Sequence, residues 1–200
     1  MHCSPILDES LYTNDTLTPI ISYGFRYGDA ESVLRLYVLA LGQLAIEASM
    51  GAPIGLVNGL SSGVCGGTAQ RPPGLEIFNE GRARVGTLVV RRETANVQVL
   101  LLLGTYFDAS ACHVEYRRSV MEASLICQVL AQDPGRAWTF AAHDLFRCAF
   151  WTCVVGEDFY HLDLDPPRTS IATISEQIQL PKFVDALVPG RPWMHTECRS

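Results

Sequence analysis

Five stretches of the chain repeat apolar residues at three- and four-residue spacing, and each predicts a helix. Leu34, Val38, Leu41, Leu44 and Ala45 mark the first. It starts near Ala30, where Asp29 or Ser32 is placed to cap it, and ends near Ser49–Gly51. Leu75 to Val90 keeps the same period through Phe78, Gly81 or Arg82, Val85, Leu88 and Val89, with Pro72-Pro73 ahead of it as suits a helix start. Thr94 stands as a cap for the third, in which Val97, Val99 and Leu100 to Leu103 leave almost no polar face. A helix apolar all round belongs at the centre of a fold. A buried strand has the same signature over so short a run, and the helical neighbours favour helix. Ala111 to Ala131 is the fourth, with Val114, Met121, Leu125, Ile126 and Val129 inward and Glu115, Arg117, Arg118 and Glu122 outward; Asp133-Pro134-Gly135 stops it. Thr139 to His161 is the longest, with Phe146, Ala149, Phe150, Cys153 and Val154 on its inner face, and a short helical turn is expected at Ser175–Gln177.

The pattern as a whole predicts an all-α fold, an antiparallel helical bundle or array over residues 30–185. A loosely held polar segment, 1–29, precedes it and an irregular tail, 186–200, follows it. Residues 51–74 contain seven glycines and three prolines and read as a loop. Two motifs inside it mislead. Gly51, Gly55, Gly59 and Gly63 have the spacing of a membrane dimerisation helix, but Pro53, Asn58 and the serines exclude one. Gly59, Ser61 and Gly63 fit the pattern of a hydrolase nucleophile elbow. That elbow needs a strand before it and a helix right after it, and glycine-rich chain flanks it here. A hydrolase using this loop is the weakest of the readings, and the chain is expected not to be an enzyme.

Composition narrows the classes. Of the 200 residues 48% are apolar and only 18% charged, below the roughly 25% of soluble domains, so much of this surface is expected to be buried. The formal net charge of −6 carries no basic footprint for nucleic acid. Seven cysteines, with no C-x-x-C pair, fit neither a disulfide framework nor a zinc finger. Cys127, Cys148 and Cys153 fall in apolar helical patterns and read as small core residues. The longest unbroken apolar run, around Val99–Gly104, is far short of the ~20 residues of a membrane span. An intracellular, soluble, reduced protein is expected, with no membrane partner.

The densest polar cluster ends the longest helix. Glu157 and His161 are one turn apart, and Asp163 and Asp165 follow, a spacing that would suit a metal. Nothing else converges on it: His113 and His143 lie in other segments. Leu162 and Leu164 alternate with the polar residues, and Pro166-Pro167 end the helix. Arg168 then stands where it can reach back to Glu157 or Asp158. The expectation is a structural latch of Glu157, Arg168, Trp151 and Pro167, with no catalytic, metal or cofactor site.

These same residues carry a resemblance. Phe150-Trp151-Thr152-Cys153, Glu157 and His161-Leu162-Asp163-Leu164-Asp165-x-Pro167-Arg168-Thr169-x-Ile171, followed by Gln179-Leu180-Pro181-x-Phe183, resemble the regulatory "middle homology" region of fungal zinc binuclear cluster transcription factors, with Arg147 ahead of the Phe-Trp pair. Val97-Gln98-Val99 through Gly104-x-Tyr106 is similar to an upstream helix of that region, and Ala123-Ser124-x-x-Cys127-x-x-Leu130 to the one after it. The resemblance covers roughly residues 31–185. Pro166 stands where leucine is more usual and Ser170 where glycine is. The family's six-cysteine zinc cluster is absent, so no cofactor is expected in this chain and no direct nucleic-acid binding. The resemblance implies a nuclear regulatory domain that modulates RNA polymerase II transcription, with protein partners or self-association and a possible small-molecule effector. It also implies a longer family region, so the chain is expected to be a truncated gene product, a fragment, or a protein that lost its DNA-binding end. The alternative function is a remnant that acts only as a protein-interaction module.

Overall fold

A computed structural model describes residues 24, 28–50, 54–57, 60–65, 71–86, 88, 92–133, 140–164 and 169–181, with the side chains of 54–65, 140–142 and 160–164 outside the description. The expected tail, and most of the expected loose segment 1–29, lie outside it. The elements in chain order are α1 (Ala30–Ser49), a hairpin of β1 (Ile54–Val57) and β2 (Leu60–Cys65), α2 (Leu75–Val85), α3 (Thr94–Ala109), α4 (His113–Ala131), α5 (Phe140–Leu164) and α6 (Ile171–Ile174), then a 3₁₀ turn at Ser175–Gln177. Among the described residues the architecture is an all-α array of packed helices with one small hairpin.

Helix α3 organises it. Val97, Leu100 and Leu101 face one core, shared with Ala123, Cys127 and Leu130 of α4, with Phe146, Ala149, Phe150 and Cys153 of α5, and with Ile171 of α6. Val99, Leu102 and Tyr106 face a second core, with Val33, Leu34, Tyr37, Ala40 and Leu44 of α1 and Phe78 of α2. A helix that separates two cores needs apolar residues on both sides, which is why the segment has almost no polar face. In the second core Phe78 stacks on Tyr106 at 3.8 Å between ring centroids and tilts against Tyr37 at 5.3 Å. The Tyr106 hydroxyl donates to the Pro73 carbonyl at 2.8 Å and holds the Pro-Pro segment down. Gly74 follows at φ +77°, and a Cβ there would stand 2.7 Å from the Ala40 carbonyl oxygen, so the chain turns into α2 directly against α1. Of the described helices α1 alone is long and apolar enough to cross a membrane; its apolar face lies in this core.

Several expectations need correction. The fourth helix rotates its large residues outward: Val114, Leu125 and Val129 are exposed, and Met121 and Ile126 only half-buried. The buried face carries Ser119, Val120, Ala123, Ser124, Cys127 and Leu130. Small residues let neighbouring backbones approach. A Cβ on Gly104 of α3 would sit 3.4 Å from Ser119, and one on Gly156 of α5 would sit 3.2 Å from Val120. Closeness of packing, not side-chain size, selected the inner face. Helix α4 begins two residues later than expected, because Ala111 sits at φ +59°, outside the helical region. Helix α2 ends at Val85 rather than Val90, although Leu88 remains buried. Thr94 is the first residue of α3, and Glu93 holds the cap position without a side-chain bond. At α1 the Asp29 carboxylate accepts from the Glu31 backbone N–H at 3.2 Å and from the Ser32 hydroxyl at 3.0 Å, so both candidate caps act together. Ala45, one of the residues that mark the period of α1, is exposed.

The glycine-rich loop contains the hairpin, which the glycine count concealed. Val57 pairs with Leu60, leaving Asn58-Gly59 between the strands. An Asn-Gly dipeptide between apolar runs is the strongest short hairpin signal.

Candidate functional site

The candidate site lies on α5, between its deep aromatic residues and its acidic end. Glu157 is half-buried. One carboxylate oxygen accepts from the Thr169 backbone N–H at 3.1 Å and the other from the Thr169 hydroxyl at 2.6 Å. The same hydroxyl oxygen accepts from the Ile171 N–H at 3.3 Å and so starts the short helix α6. Ile171 is 1% exposed and enters the first core. The chain then runs back along α5. Its Gln179 carbonyl accepts from Trp151 Nε1 at 3.2 Å, and the Gln179 side-chain oxygen accepts from the Arg147 guanidinium at 2.9 Å. Residues 169–179 are thus a strap, hydrogen-bonded to α5 at both ends and packed into the first core through Ile171.

Electrostatics explains why the ends are polar. Arg147 is 8% exposed, with Asp144 Oδ1 4.0 Å away. A buried guanidinium with an acid at that distance needs another acceptor, and Gln179 supplies it. Among the described residues its Nε has no hydrogen-bond partner, so the loss of Gln179 would leave a poorly satisfied buried cation.

The structure brings Glu157 and Trp151 of the expected latch to the strap. Arg168, Pro167 and Asp165 lie outside the described residues, as do the side chains of His161 and Asp163. Glu157 is latched by Thr169, the residue after Arg168. Sequence reasoning did not single out Thr169 or Gln179 as partners. The available signal was Thr169-Ser170 directly before an apolar Ile-x-x-Ile pair, the usual placing of a hydroxyl cap. Among the described residues no group of three or more His, Cys, Asp or Glu side chains is placed to hold a metal ion.

The chain matches no family model, no curated protein and no solved structure.

Three other places with the residue types of chemistry stand apart from the strap. Cys127 and Cys153 face each other in the first core, sulfur to sulfur at 4.0 Å. A hydrogen bond with Cys153, followed by burial, pushes the Cys127 thiol well above its ordinary range, so it holds its proton and is a poor nucleophile. Ser61 lies within strand β2 and pairs with Leu56. The sharp strand-to-helix turn that exposes an elbow serine is not formed there. An open cleft of about 470 Å³ lies between α1 and the start of α2, beside Gln43, Glu47 and the exposed Arg71–Glu76 pair, 3.3 Å apart. What the strap can do chemically is hold: acceptors meet donors across a helix surface and cover the first core.

Proposed function

We propose that this chain is a regulatory domain of the fungal transcription-factor type, one that modulates RNA polymerase II transcription through a partner or a small effector and contacts no DNA itself. The observation that carries the reading is the strap. The residues of closest resemblance, Arg147, Trp151, Glu157, Thr169 and Gln179, are those that tie residues 169–179 across α5. A helical array closed by a polar strap has two available states, strap seated and strap released, and a ligand that prefers one state shifts the balance. The net charge of −6 and the absence of C-x-x-C spacing support the expectation of no direct DNA contact.

The test is a tethering assay. The full chain is fused to an unrelated DNA-binding domain upstream of a reporter in a fungal host. The expected result is a change in transcription against the tether alone, altered again by Glu157→Ala. A reporter indifferent to the folded fusion, at matched protein level, overturns the proposal. A second reading, a protein-interaction module without transcriptional output, is favoured by the exposed Val114, Leu125 and Val129 on α4. It predicts a silent reporter together with retained association.

A further inference from the structure

Cys127 of α4 and Cys153 of α5 meet in the first core, sulfur to sulfur at 4.0 Å, and both are fully buried free thiols. A disulfide holds its sulfurs at about 2.05 Å, so closing this pair asks for a movement of about 2 Å, divided between two side chains. The two helix backbones already run close together at this level. Gly156 lies one turn beyond Cys153, and a Cβ on it would stand 3.2 Å from Val120 Cγ1 and 3.2 Å from the Tyr116 hydroxyl, both on α4.

The strap lies over the same place. Ile171 belongs to the cluster of buried side chains that contains Cys127 and Cys153, and α6 packs on both α4 and α5. Its latch is beside the pair, since Glu157 is one turn beyond Cys153 on α5. With the strap seated, the bond to Cys153 and then burial keep the Cys127 thiol protonated and out of reach. With the strap released, Ile171 leaves the core and one side of the pair meets water. An opening confined to the strap costs less than unfolding the whole chain.

We propose that Cys127 and Cys153 are a redox pair that closes to a disulfide between α4 and α5, with the strap as its gate. The oxidant is a low-molecular-weight disulfide. One protein thiol gives its proton to water, and its thiolate attacks a sulfur of the oxidant. The oxidant's S–S bond breaks, a mixed disulfide forms, and one small thiolate leaves and takes up a proton. The second protein thiol, deprotonated in turn, attacks the protein sulfur of the mixed disulfide and releases the second small thiol. The pair loses two electrons and two protons, and the oxidant gains them. The product joins positions 26 residues apart and ties α4 to α5 independently of the strap. The inference uses the strap as a physical cover and does not rest on the transcriptional reading.

The test incubates the full chain with glutathione disulfide under native conditions, quenches with acid, alkylates the remaining thiols and maps the peptides by mass spectrometry. The expected product is a link between positions 127 and 153, lost in Cys153→Ser and kept in Cys148→Ala. Glu157→Ala should speed its formation at least ~10-fold, the factor that two lost hydrogen bonds give the open state, and Thr169→Val should act in the same direction. Gly81→Ala, which strains Tyr37 in the second core, should leave the rate near that of the wild type. Two thiols that stay free in both wild type and Glu157→Ala overturn the redox pair, and so does a mixed disulfide that never resolves. A link that forms as fast in the wild type as in Glu157→Ala, or that Gly81→Ala speeds equally, overturns the gate.

Discussion

Glu157 offers the sharpest test of the strap. In Glu157→Ala two hydrogen bonds to an ionised acceptor disappear, leaving the Thr169 N–H and hydroxyl without that partner. Hydrogen bonds to charged groups contribute roughly 1.5–3 kcal/mol when well buried. Glu157 is only half-buried, so about 1 kcal/mol for each bond is the appropriate scale. The hydroxyl also orients the start of α6, and loosening it begins to withdraw Ile171 from the core. A full withdrawal would cost about 1.5–3 kcal/mol more, but Gln179 holds the far end of the strap, so only part of this is expected. The total is about 2–3 kcal/mol, or a melting temperature lower by roughly 5–10 °C in a chain of this size. Thermal unfolding followed by far-ultraviolet circular dichroism measures it. Thr169→Val removes the hydroxyl bond and keeps the N–H bond, so it should cost about 1 kcal/mol. Combined with Glu157→Ala it should cost less than the two single effects together, because the same bond is counted twice. A melting curve indifferent to Glu157→Ala, or two fully additive substitutions, would refute the assignment of Thr169 as the partner.

The other predictions probe packing and titration. Gly81→Ala would raise the stability of an ordinary helix by about 1 kcal/mol. Here the new Cβ would lie 2.5 Å from a ring carbon of the fully buried Tyr37, so a loss of about 2 kcal/mol is expected in urea unfolding. Gln179→Ala removes the near acceptor of the buried Arg147 and should destabilise by about 1–2 kcal/mol, while Gln179→Glu should be tolerated at neutral pH. Burial, with Asp144 nearby, pushes the Cys148 thiol up to about 12 from an ordinary 9.0. Burial likewise raises the Tyr106 and Tyr116 hydroxyls to about 12 from 10.0. The folded chain keeps these protons while the unfolded chain releases them. Their contribution is therefore complete below pH 9 and is lost progressively as the pH rises toward 12. Urea midpoints between pH 8 and pH 11 should fall, and less steeply in Cys148→Ala.

How much of this was legible in the sequence differs element by element. The period of α1, α3 and α5 is visible because each buries large side chains on a defined face, and 3.6-residue repetition of large apolar groups is a local property. The centrality of α3 could be read for the same reason: a helix without a polar face has no side to offer to water. The inner residues of α5, from Phe146 to Val154, were legible one by one. The core placing of Cys127, Cys148 and Cys153 was legible too. The face of α4 was not. Its sequence presents two stripes, one of large aliphatics and one of small residues, and hydropathy favours the former. The choice depends on Gly104 and Gly156 in other helices, whose missing side chains admit Ser119 and Val120. At the end of α5 the sequence pointed to Glu157 but not to its partner Thr169. An acid at the end of an apolar helix, before a proline stop, announces that something must return to it. Which residue returns is set by the path of the chain after the stop, and that path is fixed by Ile171 entering the core and by Gln179 meeting Trp151 and Arg147.

What the sequence determined by itself was the helical character and the positions that must be dry, because both follow from spacing between near neighbours. What only the tertiary structure decided was which dry face meets which, and which donors meet Glu157 and Arg147. Those choices depend on distances between segments far apart in the chain, and no local pattern encodes such a distance.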